Sequence, residues 1–157
     1  MKLDRVDVRI LQALQQDAHI KAADLAESLS LSLSPFYRRV RLLEESGIIS
    51  RYVTLLNQEK AGFQVSAYVS VAVDKKSAPI LKSFEHAIES FDEVMECYLM
   101  TGAFDYMLRV VAPDISGLER FVMEKLTKIE GVKDISTSIA LRRVHYKTTL
   151  PVKVQDE

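Results

Sequence analysis

The apolar residues of this chain keep two different periods, and the change between them bounds what the chain can fold into. Up to Gly47 they recur at helical spacing. From Val65 onward they alternate, one residue to each side. A chain that switches period once calls for a helical part followed by a part built on a sheet.

In the helical part, Leu3, Val6, Ile10, Leu11 and Leu14 form a stripe that predicts a helix from about Asp4 to Gln16. Asp4 suits its cap, with Asp7 three residues on in a box-like arrangement, and both carboxylates favour the positive helix end. Asp17-Ala18-His19 reads as a loop. A second helix is expected over about Ala22 to Leu29, with Leu25, Ala26 and Leu29 inward and only Lys21 at its poor cap. Ser30-Leu31-Ser32 is a tight corner into a third helix. Ser32 is expected to cap that helix with its hydroxyl, Pro35 falls in the first turn where a missing N–H costs little, and Gly47 stops it.

The third helix is two-faced. Phe36, Val40 and Leu43 fall on one side, and Ser34, Tyr37, Arg38 and Arg41 on the other, with no acidic residue between Ser32 and Leu43. Taken alone, that outer face serves a solvated surface as well as it serves phosphate oxygens and base edges. Two short helices joined by a corner of three or four residues tip the balance toward a helix-turn-helix. By geometry Ser34, Tyr37 and Arg38 are candidates for base or near-base contact, and Arg41 and Arg51 for phosphate. Arg39 sits nearer the buried side and is expected to pair with an acidic residue. Ile48 to Val53, β-prone, reads as a small wing or the start of a strand.

The polar stretch Asn57 to Gly62 marks the boundary, giving a first domain over 1–57 and a second over 63–150. Val65 to Val73 alternate as a strand, and Lys75-Lys76-Ser77 turns the chain. Ile80, Leu81, Phe84, Ala87, Ile88 and Phe91 follow helical spacing. Val94 to Thr101 and Phe104 to Ala112 are strands around a turn at Gly102-Ala103. Asp114 caps a helix with Leu118, Phe121, Val122, Lys125 and Ile129 on one side, ended by Gly131. A long last strand is expected from Val132 to about Lys147. The order β-α-β-β-α-β, with right-handed crossovers, gives a ferredoxin-like α+β domain: a four-stranded antiparallel sheet with two helices on one face. Its other face keeps apolar residues such as Tyr68 and Tyr98, which calls for a partner, most simply another copy of the chain.

A net charge of −1 over 157 residues means that any DNA binding comes from a local patch. The single cysteine, Cys97, excludes an internal disulfide and suits a reducing cytoplasm; within an apolar strand it is expected to be a buried packing residue. No signal peptide and no bilayer-spanning stretch is evident, so no membrane partner is expected. His19, His86 and His145 are not at ligand spacing, no nucleophile and base form a readable constellation, and no cofactor or enzymatic activity is expected. Met100, Met107 and Met123 read as core, and Val152 to Glu157 as a frayed end.

Three stretches together resemble the leucine-responsive/asparagine-responsive (Lrp/AsnC) transcription regulators along nearly the whole chain. They are Leu3-Asp4-Arg5-Val6-Asp7-Val8-Arg9-Ile10-Leu11, the run from Leu31-Ser32 through Arg38-Arg39-Val40 into Leu43-Glu44-Glu45-Ser46-Gly47-Ile48-Ile49, and Thr101-Gly102-Ala103-Phe104-Asp105-Tyr106-Met107-Leu108. The resemblance implies an N-terminal winged helix-turn-helix that binds double-stranded DNA. It also implies a C-terminal domain that assembles dimers, often octamers, and senses a small amino acid. The chain departs from the family's usual glycine at Ser30, proline at Leu33 and second basic residue at Leu42.

In the family the loop matching Thr101 to Asp105 lies between dimers, facing the last strand of another subunit. This makes Thr101, Gly102, Asp105 and Thr137 candidate effector contacts: Asp105 as counter-charge for an ammonium, N–H groups near Gly102 as donors to a carboxylate. Ile135 beside Thr137 would favour an apolar or sulfur-containing side chain such as that of leucine or methionine. A plain hairpin turn serves the same residues. The alternative function is a metabolite-binding module or small ferredoxin-like enzyme whose N-terminal helices mediate protein contacts.

Overall fold

A computed structural model describes residues 1–74 and 77–155. The turn expected at Lys75-Lys76 lies outside the described residues. The chain divides into two compact units, Met1–Leu55 together with the tail from His145, and Leu56–Val144.

The first unit holds three helices, α1 (Arg5–Gln16), α2 (Ala22–Ser28) and α3 (Leu33–Glu45). The Asp4 carboxylate caps α1 by accepting from Val6 and Asp7 N–H, and Asp7 accepts in return from Asp4 N–H, a complete capping box. Lys21 contributes no side-chain cap to α2, as expected. Ser32 takes the cap position of α3 but its hydroxyl makes no capping bond, contrary to expectation. A capping oxygen accepts from the second or third residue of the helix; Pro35 at the third position removes one of these two donors and leaves only Ser34 N–H. Gly47 ends α3 with φ 75°, and its N–H reaches Glu44 O.

The helices bury one core of Leu3, Val8, Ile10, Leu11, Leu25, Ala26, Leu29, Phe36 and Leu43. Ser30, in the corner before α3, has φ 56°, the left-handed region that disfavours a side chain. That strain is worth about 1–2 kcal/mol, against about 0.5–1 kcal/mol of extra chain entropy lost with glycine. Ser30→Gly is therefore expected to stabilise this unit by about 0.5–1 kcal/mol. Thermal unfolding followed by helical circular dichroism would show it as a higher midpoint; an unchanged or lower one would count against the strain.

The tail packs on this unit rather than fraying. Val152 joins the helical core, the Gln15 side-chain amide bonds both Leu150 N–H (2.6 Å) and Leu150 O (3.3 Å), and Gln155 N–H donates to Leu3 O. Residues 145–150, placed in the second domain by sequence, thus belong spatially to the first unit. Asp156 and Glu157 lie outside the described residues. The stretch after α3, through Ile48 to Val53, carries no strand in the chain by itself.

The second unit holds β1 (Val65–Val73), α4 (Ala78–Glu89), β2 (Val94–Leu99), β3 (Tyr106–Ala112), α5 (Ile115–Arg120) and β4 (Val132–Ile139). The sheet order is β2-β3-β1-β4, every pair antiparallel. This is the ferredoxin-like arrangement. Val65, Ala67, Val69, Val71 and Val73 point to one side and share a core with Phe84, Ile88, Leu118, Phe121 and Leu126. The other side keeps Tyr68 and Tyr98 half-exposed, with Arg109 bonding Glu96 and Tyr98 donating to the same carboxylate.

Four expectations for this unit are corrected. β4 ends at Ile139, not near Lys147, because its only neighbour, β1, begins at Val65; Ala140 N–H reaches Ser66 O and the ladder has no further rungs. The helix begun at Ile115 widens into a π turn over Phe121–Lys125 and tightens into a 3₁₀ turn over Leu126–Lys128. The wider turn shifts the phase, so Leu126 is buried while Lys125 turns out to Glu93 (2.5 Å) and over the Phe91 ring. Cys97 is exposed, since β2 is an edge strand. Met100 and Met123 are exposed rather than core, one beyond the end of β2 and the other on the outer side of the π turn.

No helix among the described residues is long and apolar enough to cross a membrane. Among those residues no group of three or more His, Cys, Asp or Glu could hold a metal ion.

Candidate nucleic-acid interface and effector loop

The core side of α3 is seated by Phe36 and Leu43, both buried, with Val40 partly so. This leaves Ser34, Tyr37, Arg38 and Arg41 together on the exposed side. The roll of α3 about its axis decides which residues face outward, and Arg39 sets it. Its guanidinium donates to Asp7 Oδ1 at 2.7 Å and Asp4 Oδ2 at 2.6 Å, joining α3 to the capping box of α1. Asp7 is buried and Arg39 only a quarter exposed. Its hydrogen bonds to Asp7 and then to Asp4 raise the Arg39 pKa. Partial desolvation would raise the Asp4 carboxyl, but the Asp7 N–H and the Arg39 guanidinium outweigh it and hold Asp4 below its usual range. The expected acidic partner of Arg39 is thus a pair, and the arginine is a positioning residue.

Arg41 donates to Glu45 at 2.6 Å in a solvent-exposed i, i+4 pair. Such pairs contribute little to stability, so Arg41 can exchange Glu45 for a phosphate oxygen. Arg51 is exposed and borders an open groove of about 650 Å³ walled by Leu11, Leu14 and the tail residues Leu150 and Val152. Beside it, Tyr52 donates to Glu44 at 2.8 Å. Desolvation first, and then Glu44, push the Tyr52 hydroxyl up to about 12, so it stays protonated and the brace persists at neutral pH. Sequence reasoning missed this brace, because the two residues lie on either side of the Gly47 turn and share no period.

In the second unit, Thr101 and Gly102 are exposed on the bend between β2 and β3, with Gly102 at φ 123°. Asp105 is turned inward. It is 8% exposed, and its Oδ2 accepts from Val73 N–H at 3.0 Å, tying the loop to the end of β1. Thr137 is exposed on β4 opposite Val69, whereas Asp105 lies just beyond the level of Val71. Within one chain Thr137 is therefore about 10 Å along the strands and two strand spacings, each about 4.8 Å, from the loop. The structure groups Thr101, Gly102 and Asp105 but keeps Thr137 apart from them.

Cys97 lies on β2, ahead of that loop. Desolvation and then the neighbouring Glu85 push its thiol up to about 11, which leaves it protonated and unreactive at neutral pH.

A helix-turn-helix unit with a cationic outward face, followed by a ferredoxin-like unit, defines a two-domain DNA-binding transcriptional regulator. Residues 3–50 match the family model for a winged helix-turn-helix DNA-binding domain, and residues 66–150 that for the Lrp/AsnC ligand-binding domain. The chain is 40% identical over 151 residues to the Bkd operon transcriptional regulator of Pseudomonas aeruginosa, covering 96% of this chain and 99% of that one. It is 32% identical over 153 residues to the leucine-responsive regulatory protein of Escherichia coli K12, covering 98% and 93%. Among solved structures it superposes with a TM-score of 0.90 on an AsnC family regulator from Agrobacterium tumefaciens, at 40% identity and covering 95% and 97%. It matches equally, at 0.90, a Neisseria meningitidis transcriptional regulator in complex with L-Met, at 32% identity and covering 95% and 96%. The chain belongs to the Lrp/AsnC family of transcriptional regulators.

Proposed function

We propose that this regulator binds its operator through the outer face of α3 and acts in the cytoplasm as a homo-oligomer, not as an enzyme. Ser34, Tyr37 and Arg38 meet bases, while Arg41 and Arg51 meet phosphates. The observation that carries the reading is the one-sidedness of α3, whose Phe36, Val40 and Leu43 are seated while Arg38 and Arg41 face outward. One unit reads only a few base pairs, so two copies joined through their second units would engage half-sites about 34–36 Å apart or a multiple of that. The half-exposed face carrying Tyr68 and Tyr98 supports that joining. Arg38→Ala is expected to cost about 1–3 kcal/mol of operator binding and to flatten sequence preference. Titration of operator against scrambled DNA checks this; an unchanged ratio removes Arg38 from the reading set.

The effector we propose is a small amino acid with an apolar or sulfur-containing side chain, held by Thr101 and Gly102 of one copy and Thr137 of another. The distance between these groups within one chain supports a site shared between copies, and the relative crystallised with L-Met supports the ligand class. Asp105, committed to Val73 N–H, shapes the loop and presents its charge from behind it. Binding at such a site acts through the different ligand affinities of smaller and larger assemblies, and so through how many DNA-reading heads act together. Calorimetry with the twenty amino acids is expected to give heat with leucine or methionine, alongside a change in mass by light scattering. Heat with none of them would leave Thr101 to Asp105 as a plain turn.

A further inference from the structure

Leu33 is the first residue of α3 and is 46% exposed. Tyr37, one turn on at i+4, is 57% exposed, and its ring is steadied edge-on against buried Phe36 at 5.7 Å. Neither Leu33 nor Tyr37 belongs to the helical core. The first turn of a helix-turn-helix recognition helix is the part that reaches base edges. A leucine there can neither donate nor accept a hydrogen bond, and it does nothing for the positive helix end, where an acidic or hydroxyl residue would stabilise. Its contribution to this surface is therefore apolar contact. In the major groove, base edges are donors and acceptors apart from one group, the 5-methyl of thymine.

We infer that Leu33, flanked by the Tyr37 ring, reads the 5-methyl group of a thymine in each operator half-site. The inference rests on α3 being the reading helix. It extends the polar set Ser34, Tyr37 and Arg38 with an apolar specificity residue continuous with them on the helix surface. Hydrogen-bonding residues at the front of α3 would leave a thymine indistinguishable from uracil; Leu33 makes the two different.

The test starts from an operator enriched out of random duplexes by the full chain. Each thymine is replaced in turn by deoxyuridine, which removes the methyl and keeps every hydrogen-bonding group. One position per half-site is expected to bind about fourfold more weakly as uracil, the effect of burying one methyl group. Leu33→Ala should bind the thymine and uracil operators alike, and Leu33→Met should restore the difference. Absence of any uracil-sensitive position, or a sensitivity that persists undiminished in Leu33→Ala, overturns the inference. Arg38→Ala on the same operator reports separately on the helix. Operator preference kept in both Arg38→Ala and Leu33→Ala would refute α3 as the reader, whereas preference lost in Arg38→Ala without a Leu33-dependent thymine would refute only the methyl contact.

Discussion

Arg39→Ala is expected to destabilise the N-terminal unit by about 3 kcal/mol. The guanidinium is the partner of a carboxylate, Asp7, whose side chain is 3% exposed. Removing the cation leaves that carboxylate desolvated with only the Asp4 N–H to bond it, and frees α3 to roll against α1. A figure at the lower end of the range for broken buried pairs is appropriate because Arg39 is itself a quarter exposed. Urea unfolding should show the helical transition moving to lower denaturant while the transition of the ferredoxin-like unit stays in place. Operator affinity should fall with it although Arg39 touches no DNA. Arg39→Lys, with its single ammonium, should recover part of the loss.

Acid gives an independent readout of the same network. The folded-state pKa of Asp4 is depressed below its ordinary 3.8, so its contribution is fully present above that value and is lost as pH falls through the lowered one. The variant should lack part of that acid-dependent loss, because the Asp7 and Val6 N–H groups still bond Asp4. Equal acid sensitivity in wild type and variant would mean that Arg39 does not hold Asp4.

Phe84→Ala should have the larger effect, about 3–5 kcal/mol, on the second unit. Phe84 is fully buried, lies 4.5 Å ring to ring from Tyr106, and fills the space between α4 and the valines of β1. Truncation leaves a ring-sized cavity under the sheet. The ring pair with Tyr106 is worth a further fraction of that. Thermal unfolding should show the sheet transition falling steeply while the helical one does not move, and light scattering should show smaller assemblies. Phe84→Leu, which refills most of the volume, should cost well under half as much. A single transition moved equally by both the Arg39 and Phe84 substitutions would mean that the units do not melt separately.

Most of the candidate DNA face was readable from residue order because its pattern along α3 is local; only the Arg39 link to α1 that sets its roll is not. Phe36, Val40 and Leu43 recur at the helical period, Pro35 and Gly47 mark the ends, and no acidic residue intrudes before Glu44. The effector loop was less readable. A glycine turn followed by an aspartate looks the same whether Asp105 points at a ligand or, as here, at Val73 N–H more than thirty residues earlier. Pro35 removes one of the two donors that Ser32 could have capped, but Ser34 N–H remained, so the missing bond was not legible from the sequence.

By itself the sequence determined the order of the elements and most of their inward faces, because period, caps and turn residues act over a few neighbouring positions. The tertiary structure alone decided that Arg39 spans to Asp4 and Asp7, that Cys97 lies on an open edge, that β4 stops at Ile139 and that the tail covers the helical unit. Each of these depends on which segment lies beside which and on how long the neighbour is. A hydrophobic period records that a side is buried, but not by what.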